Sequence, residues 1–143
     1  MPARATPRQN IHAECERRGR EAVVAGCISL LDGQGADEAL IIALGGEAAP
    51  YVLSGGEGGP GGRWPRVWAA RGLLRAWDEA ATPAIIRATS DDAWRVREMA
   101  AKVVAKHKVG DAIEAVVALA EDHVPRVRTA ASRAVMTLSA SRA

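Results

Sequence analysis

The chain has 143 residues, of which 48% are hydrophobic, 25% are charged and only 3% are aromatic, and its formal net charge is +2. This composition excludes a disordered chain, and the length suits one compact domain or a short array of repeats. Because the core must be built mainly from Ala, Val, Leu and Ile, close-packed helices are favoured over a thick sheet sandwich, and the small positive charge permits an acidic partner without requiring one.

The N-terminal region shows no targeting or membrane-spanning pattern. Its first ten residues include basic side chains, but no apolar stretch of signal-peptide length follows them. The most apolar run, ALIIAL, is far too short to cross a bilayer. If Cys15 and Cys27 share one helix, the twelve residues between them correspond to about 18 Å, which is too far for a disulfide, so free thiols are expected unless the helix breaks near Gly19. We therefore expect a soluble, cytoplasmic protein with no membrane partner.

Residues 1–54 are predicted to form an N-terminal helical cap, which could also be a degenerate repeat. The stretch RQNIHAECERRGREAVVAGCISLLDG indicates one long helix, or a helix broken near Gly19. Two shorter helices follow, separated by Gly45 and Gly46. The apolar stripe of the first helix consists of Val23, Val24, Cys27, Ile28 and Leu31.

Residues 55–63 are rich in glycine and are predicted to be a flexible loop or linker. Within them, GEGGPG matches the G-x-G-x-x-G pattern of dinucleotide-binding sites. Such a site needs a strand before it and a helix after it, and no strand pattern precedes this segment. We therefore expect no cofactor to bind here.

Three similar helical segments follow within residues 64–143. PRVWAARGLLR, WRVREMAAKVV and PRVRTAASRAV align without gaps, and their shared arginines are Arg66, Arg95 and Arg126. The spacings are 95 − 66 = 29 and 126 − 95 = 31, so the period is about thirty. The apolar positions of the second segment are Val96, Met99, Ala100, Val103, Val104 and His107, and they recur in the third as Val127, Ala130, Ala131, Ala134, Val135 and Leu138. This spacing is that of one helix face, and only the first segment departs from it, at Arg71 and Arg75.

Shorter helices are predicted between these segments. Thr82 is predicted as the N-cap of one, with Pro83 at its first helical position. Asp111 and Glu114 form an acidic variant of the capping box at the start of the other, after Gly110 has closed the preceding helix. Since no segment shows sustained two-residue alternation, the fold is predicted to be all-α. Antiparallel helix pairs of this period are expected to stack into a short right-handed α-solenoid.

The order of acid, turn, Val-Arg and Ala-rich helix resembles the HEAT repeat family, particularly its short-period, phycobilisome-lyase-like form. The resemblance is carried by Asp92 with Val96-Arg97 and by Asp122 with Val127-Arg128. It implies that acids and arginines join neighbouring repeats in a buried ladder, whose members here would be Asp92, Arg97, Asp122 and Arg128. The first segment departs from the pattern, because Trp68 replaces the arginine.

The repeated helices carry a second stripe, which is predicted to line the concave side of the array. Its candidate partner-binding residues are Arg66, Trp77, Arg95, Lys102, Lys106, Arg126 and Arg133. The other positions of the stripe are Ala69 and Leu73 in the first segment, Glu98 in the second, and Thr129 and Thr137 in the third. An apolar end would therefore lead into a mostly basic strip. A stripe of this kind is also typical of a plain solvated helix face.

Three tryptophans are possible anchors for a partner, namely Trp64, Trp68 and Trp94. Trp64 and Trp68 are one helical turn apart and face the same way. The three side chains either project from the surface as binding anchors or fill the core where the cap meets the repeats.

No residue pattern commits the chain to a reaction or to a metal. HAEC, from His12 to Cys15, resembles the His-x-Glu of zinc deaminases but lacks the later Pro-Cys-x-x-Cys of that site. No hydroxyl has both a histidine and a carboxylate nearby in an arrangement that the sequence supports. We therefore predict no catalytic residue, no metal site and no cofactor.

The leading hypothesis is a non-enzymatic HEAT-repeat interaction module, a protein–protein scaffold or adaptor that binds an unidentified protein in its concave groove. The alternative is a nucleic-acid-binding protein related to HEAT-like alkyl-base DNA glycosylases, a family that surrounds an extruded base with Trp, Asp and basic residues. The residues of these types are Trp64, Trp68, Trp94, Asp91, Asp92, Arg95 and Arg126. The small net charge argues against this alternative. The repeat subtype alone suggests a third role, as a bilin-lyase-like accessory protein.

Overall fold

The computed structural model describes residues 5–140, and within them it contains helices and turns but no strand. The predicted all-α class is therefore confirmed. The α-helices of this range are α1 (Pro7–Arg18), α2 (Arg20–Leu31), α3 (Glu38–Gly45), α4 (Ala49–Leu53), α5 (Arg63–Leu73), α6 (Thr82–Ala88), α7 (Trp94–His107), α8 (Ile113–Leu119) and α9 (Pro125–Ala140). None of these helices combines the length and the apolar character that a membrane crossing requires.

The chain divides into two compact units, Met1–Asp78 and Glu79–Ala143. The helix of the first repeated segment, α5, belongs to the first unit. The helices of the second and third segments, α7 and α9, belong to the second. The division into segments 1–54, 55–63 and 64–143, like the handedness of the array, stays a prediction.

In the first unit, α2 and α3 each pack against both α1 and α5. The predicted break in the first helix is confirmed at Gly19, whose φ of 91° ends α1 before α2 begins. Thr6 caps α1 with a full capping box, in which its side chain accepts from the Gln9 N–H and the Gln9 side chain accepts from the Thr6 N–H. The predicted separation of the next two helices at Gly45 and Gly46 is confirmed as well.

Both cysteines are free, as predicted, with Cys15 half-buried and Cys27 fully buried. Burial raises the pKa of the Cys27 thiol to about 12. The thiolate is therefore rare at neutral pH, and the side chain serves as a small apolar group of the core.

Arg71, which interrupts the apolar face of the first segment, is accommodated by a partly buried hydrogen bond. Its Nη2 donates to the carbonyl oxygen of Leu44 at 2.6 Å, near the C-terminal end of α3. A cation at this position also interacts favourably with the negative end of the helix. Burial lowers the pKa of the Arg71 guanidinium below its ordinary value.

The glycine-rich segment, predicted as a flexible linker, lies inside the first unit. Its residues Gly56–Gly61 form short 3-10 turns interrupted by a kink, and they pack against α4 and α5. Its turns depend on left-handed backbone at Gly58 and Gly59, with φ of 91° and 72°. The segment therefore brings α5 back onto the N-terminal helices.

Gly45 provides a close approach between α3 and the buried indole of Trp68. A Cβ at Gly45 would lie 2.5 Å from carbons of that ring, and Trp68 is only 4% exposed. We expect Gly45→Ala to lower the free energy of unfolding by about 1–3 kcal/mol, because the ring has little room to move. The measurement is urea denaturation, with Gly61→Ala as control, since a Cβ there meets nothing within 4 Å. Equal losses for the two variants would contradict this packing.

The second unit consists of two helix pairs of the same design, α6 with α7 and α8 with α9. Their starts recur at one spacing, which we call the repeat interval, since 113 − 82 = 31 and 125 − 94 = 31. The longer helices, α7 and α9, pack side by side. Their contact is filled by a buried cluster of Ala101, Leu119, Val127, Ala130 and Ala131. Most positions of the predicted apolar stripes are buried, while Met99, His107 and Val135 are half-buried.

Three predictions about helix ends in this unit are wrong. Thr82 is the first residue of α6 rather than its N-cap, because the 3-10 turn Glu79–Ala81 runs directly into the helix. For the same reason Asp111 lies inside the 3-10 turn Gly110–Ala112 and forms no capping box. Lys108, with φ of 51°, supplies the left-handed residue that ends α7, in place of Gly110.

Candidate functional site

The turns that precede α7 and α9 share one local structure. Asp91 Oδ1 accepts from the backbone N–H of Ala93, and Asp122 Oδ1 accepts from that of Val124, both at 2.9 Å. The counterpart of Asp122 is therefore Asp91. The predicted ladder position of Asp92 is wrong by one residue, because the Asp92 side chain is exposed and only its backbone carbonyl accepts from Arg97.

Arg97 connects the two turns of the second unit. Its Nε and Nη2 donate to the two carboxylate oxygens of Asp122 at 2.8 and 3.3 Å. Its Nη1 donates to the carbonyl oxygens of Asp91 and Asp92 at 2.8 and 3.0 Å. The side chains of Arg97 and Asp122 are 10% and 9% exposed, so this two-point ion pair lies largely out of water.

The carboxyl group of Asp122 is held in its charged form. Burial by itself raises the pKa of this group, but the hydrogen bonds from Arg97 and from the Val124 N–H, together with the charge of Arg97, outweigh that effect. The pKa of Asp122 consequently lies below its ordinary value. The ion pair is thus intact throughout the neutral range.

Arg128 repeats only half of this arrangement. Its Nη1 donates to the backbone carbonyl of Asp122 at 2.9 Å, as Arg97 does to Asp91. Arg128 is exposed, and within residues 5–140 it makes no ion pair with a carboxylate. Of the predicted ladder, the structure therefore pairs Arg97 with Asp122 and leaves Arg128 at the surface.

A groove of about 580 Å³ runs between α7 and α9. It is lined by Glu98, Lys102, Ala105, Lys106, Pro125, Arg126, Thr129, Ala130 and Arg133. We call this surface the α7–α9 groove. Four of the predicted partner-binding residues, Lys102, Lys106, Arg126 and Arg133, are brought together here.

Glu98 is the one carboxylate that lines the α7–α9 groove within the described residues. Its Oε2 lies 3.0 Å from Nε of Arg126 and 3.8 Å from Nζ of Lys102. The Glu98 side chain is only 10% exposed, whereas those of Arg126 and Lys102 are 66% and 45% exposed. The buried acid therefore orients two of the four cations, and the lining keeps a net positive charge.

The part of the chain that contains α5 to α9 also matches a known protein family. A family model described as HEAT repeats matches residues 63–142. The chain belongs to the HEAT repeat family. HEAT repeats typically mediate protein–protein interactions and are generally non-enzymatic. Searches of the curated proteins and of the solved structures each found no match.

Trp94 lies at the N-terminal end of α7, with two arginines from the HEAT repeats over its indole ring. The guanidinium carbons of Arg95 and Arg126 are 4.4 and 5.4 Å from the ring centroid. Trp94 is half-buried and packs against the cluster around Ala101. Arg95 therefore lies over the Trp94 ring and does not line the groove. Trp94 itself lies partly in the core and partly at the surface.

The predicted site residues of the first unit do not form part of this groove. Arg66 is half-buried and donates from Nη1 to the carbonyl of Gly62 at 3.0 Å. Trp77 is also half-buried, and so is Trp64, which has the Arg63 guanidinium 5.3 Å from its ring centroid.

Two predictions about the first repeated segment are corrected by burial. Trp68 is 4% exposed, so it fills the core and is not available as an anchor. Ala69 and Leu73 are fully buried, and the apolar end of the predicted stripe is therefore core rather than surface. The reason is that α5 packs against both α2 and α3, so more than one of its faces is covered.

The residue set predicted for a base-extruding site is divided between the two units. Trp64 and Trp68 belong to the first unit, whereas Trp94, Asp91 and Arg95 belong to the second. Trp68 is buried, so the complete predicted set is not available to a nucleic acid.

Sequence reasoning placed Glu98 on the predicted concave stripe but did not predict its burial between two cations. Glu98 follows Arg97 directly and has the pattern of an ordinary exposed helix residue, yet it is 8% exposed overall. The available signal was the period, because the equivalent of Glu98 one repeat interval later is Thr129, and Arg126 lies one turn before Thr129 on the neighbouring helix.

Proposed function

We propose that this HEAT repeat protein is a non-enzymatic interaction module, a scaffold or adaptor whose α7–α9 groove binds an acidic segment of a partner protein. The observation that carries the proposal is the lining of the groove, in which four cations and, among the described residues, a single carboxylate surround apolar surface. The family supports it, because HEAT repeats typically mediate protein–protein interactions.

The cations are arranged on two walls. Lys102 and Lys106 extend from α7, one helical turn apart, and Arg126 and Arg133 extend from α9. The lining also includes the small or apolar side chains of Ala105, Ala130 and Pro125. A segment with carboxylates spaced along it would meet charges on both sides while its apolar atoms cover the small side chains.

Charge of this kind contributes mainly to the rate and the specificity of association. Glu98 pairs with Lys102 and Arg126. The charges of Lys106 and Arg133 are therefore the ones with which acidic groups of a partner can pair most strongly. Binding through a groove of this size is expected to be weak to moderate and to decrease as salt is added.

Selection from a random peptide library on the full chain tests the proposal. We expect the selected peptides to be enriched in Asp and Glu, and their affinity to fall by roughly tenfold or more in Lys106→Glu/Arg133→Glu. The matched control is Arg8→Glu/Arg20→Glu, which changes the net charge by the same amount at exposed sites in the first turns of α1 and α2. The control should bind like the wild type.

Selection without acidic enrichment, or equal loss in the two double variants, would contradict the groove as the binding surface. A random single-stranded DNA oligonucleotide serves as a competing probe in the same assay. Tight DNA binding with a steep salt dependence, together with no binding of acidic peptides, would favour a nucleic-acid partner instead.

A further inference from the structure

The outer side of the pair formed by α8 and α9 carries a surface whose equivalent on the pair formed by α6 and α7 faces the next helix pair. We call it the end face and define it by Val117 on α8 and by Arg128, Ser132 and Met136 on α9. Subtracting one repeat interval gives the corresponding positions of the preceding pair, which are Ile86, Arg97, Ala101 and Ala105.

Each of these preceding residues faces the next helix pair. Ile86 lines a cleft together with Ala115 and Leu119 of α8. Ala101 packs in the buried cluster with residues of α9, and Ala105 lines the α7–α9 groove. Arg97 completes the contact through its two bonds to the Asp122 carboxylate. The four positions thus form the side of a repeat that receives the following repeat.

On the end face the same positions are open to solvent. Val117 is 50% exposed and Met136 is 71% exposed, and these are two of the four large hydrophobic side chains exposed within the described residues. Arg128 and Ser132 are exposed as well. Two large apolar side chains and an arginine are thus exposed at positions whose equivalents one repeat interval earlier face the next helix pair.

Arg128 is already positioned for a partner. Its Nη1 bond to the Asp122 carbonyl matches the bond that orients Arg97 toward the next turn. In Arg97 the remaining Nε and Nη2 reach the carboxylate of Asp122. In Arg128 the same two nitrogens have no hydrogen-bond partner among residues 5–140, so a planar two-point donor is presented at the surface.

The geometry points to the end face as a docking surface for a HEAT-type helix pair of a partner protein, one that carries an aspartate in the turn before its second helix. The aspartate would take the place relative to Arg128 that Asp122 takes relative to Arg97, and the apolar side of the pair would cover Val117 and Met136. This surface is separate from the α7–α9 groove and requires a folded partner, whereas an extended acidic peptide would leave the two apolar side chains exposed.

The probe is a further copy of the chain's own helix pair. Residues 110–140 are appended directly after Ala140, which continues the chain in the register of the repeat interval. Covalent attachment supplies a high effective concentration, so docking is tested directly. We expect the rate at which hydrogen peroxide oxidises Met136 to fall roughly tenfold or more, because the side chain becomes buried. The methionine of the appended copy lies on the new outer side and serves as the exposed reference.

A second measurement isolates Arg128. In the extended chain, Arg128→Met and Asp122→Asn in the appended copy should each lower the Tm by about 4 °C or more, and the two losses should not add. In the unextended chain Arg128→Met should leave the Tm nearly unchanged.

Three outcomes would overturn the inference. The first is an unchanged oxidation rate of Met136, and the second is an equal effect of Arg128→Met on the extended and unextended chains. The third is an appended pair that adds no helical signal in circular dichroism, because the same sequence is helical where it packs against α6 and α7. Sedimentation of the wild-type chain as a dimer that Arg128→Met dissociates would identify a second copy as the occupant instead.

Discussion

Replacing Arg97 with methionine is expected to lower the free energy of unfolding by about 3–5 kcal/mol, the largest loss for any charged side chain of the second unit. The substitution leaves the Asp122 carboxylate, which is 9% exposed, without its counter-charge. It also removes the bonds to the carbonyls of Asp91 and Asp92, so the turns before α7 and α9 lose their direct connection. Urea denaturation followed by circular dichroism measures the loss.

Arg128→Met is the matched control for this prediction. It removes the corresponding arginine and the corresponding bond to a backbone carbonyl, but at an exposed site. We expect a change of no more than about 0.5–1 kcal/mol. Similar losses for the two variants would mean that the Arg97–Asp122 pair has no special role in joining the repeats.

The pH dependence of stability gives an independent measure of the same pair. Because the folded pKa of Asp122 is depressed, its contribution is fully present above the unfolded pKa of about 3.9 and is lost as the pH falls through the folded value. The wild-type urea midpoint should therefore decrease steeply below about pH 4. In Arg97→Met this decrease should be shallower, since the main stabilising partner of the charged form is gone.

Replacing Trp68 with alanine is expected to destabilise the first unit by about 3–5 kcal/mol. The ring is 4% exposed and lies against Gly45, so its removal leaves a large cavity between α3 and α5. The change in urea midpoint, or loss of the folded state, measures the effect.

Trp64→Ala, one helical turn earlier in α5, is the control for this prediction. Trp64 is half-buried, and we expect a loss of about 1 kcal/mol. A larger loss at Trp64 than at Trp68 would contradict the assignment of Trp68 to the core.

The repeat architecture of the second unit could be predicted from the sequence because it depends on local periodicity. The interval between Arg95 and Arg126 places the same apolar face on α7 and α9, and the structure buries most of its positions. Helix starts were harder to predict. Thr82 and Asp111 have the side chains of good N-caps, but preceding 3-10 turns supply the backbone acceptors and make a side-chain cap unnecessary.

Details that depend on the neighbouring helix could not be predicted from one segment at a time. Asp91 and Asp92 are adjacent carboxylates, and only the turn geometry shows that Asp91 is the counterpart of Asp122. Ala69 and Leu73 have the spacing of a surface stripe, yet the N-terminal helices cover them. Four of the seven predicted stripe residues line the groove, and among them only Lys102 and Arg133 recur as cations one repeat interval apart. The burial of Glu98 against Arg126 depends on the neighbouring helix and has no signal within one segment.

An NMR titration of the full chain with an octaglutamate peptide tests the proposed groove most directly. We expect backbone amide shifts concentrated on the groove-lining residues between Glu98 and Arg133, lost in Lys106→Glu/Arg133→Glu and retained in Arg8→Glu/Arg20→Glu. Shifts centred on the first unit, or unchanged shifts in the groove variant, would contradict the proposed binding surface.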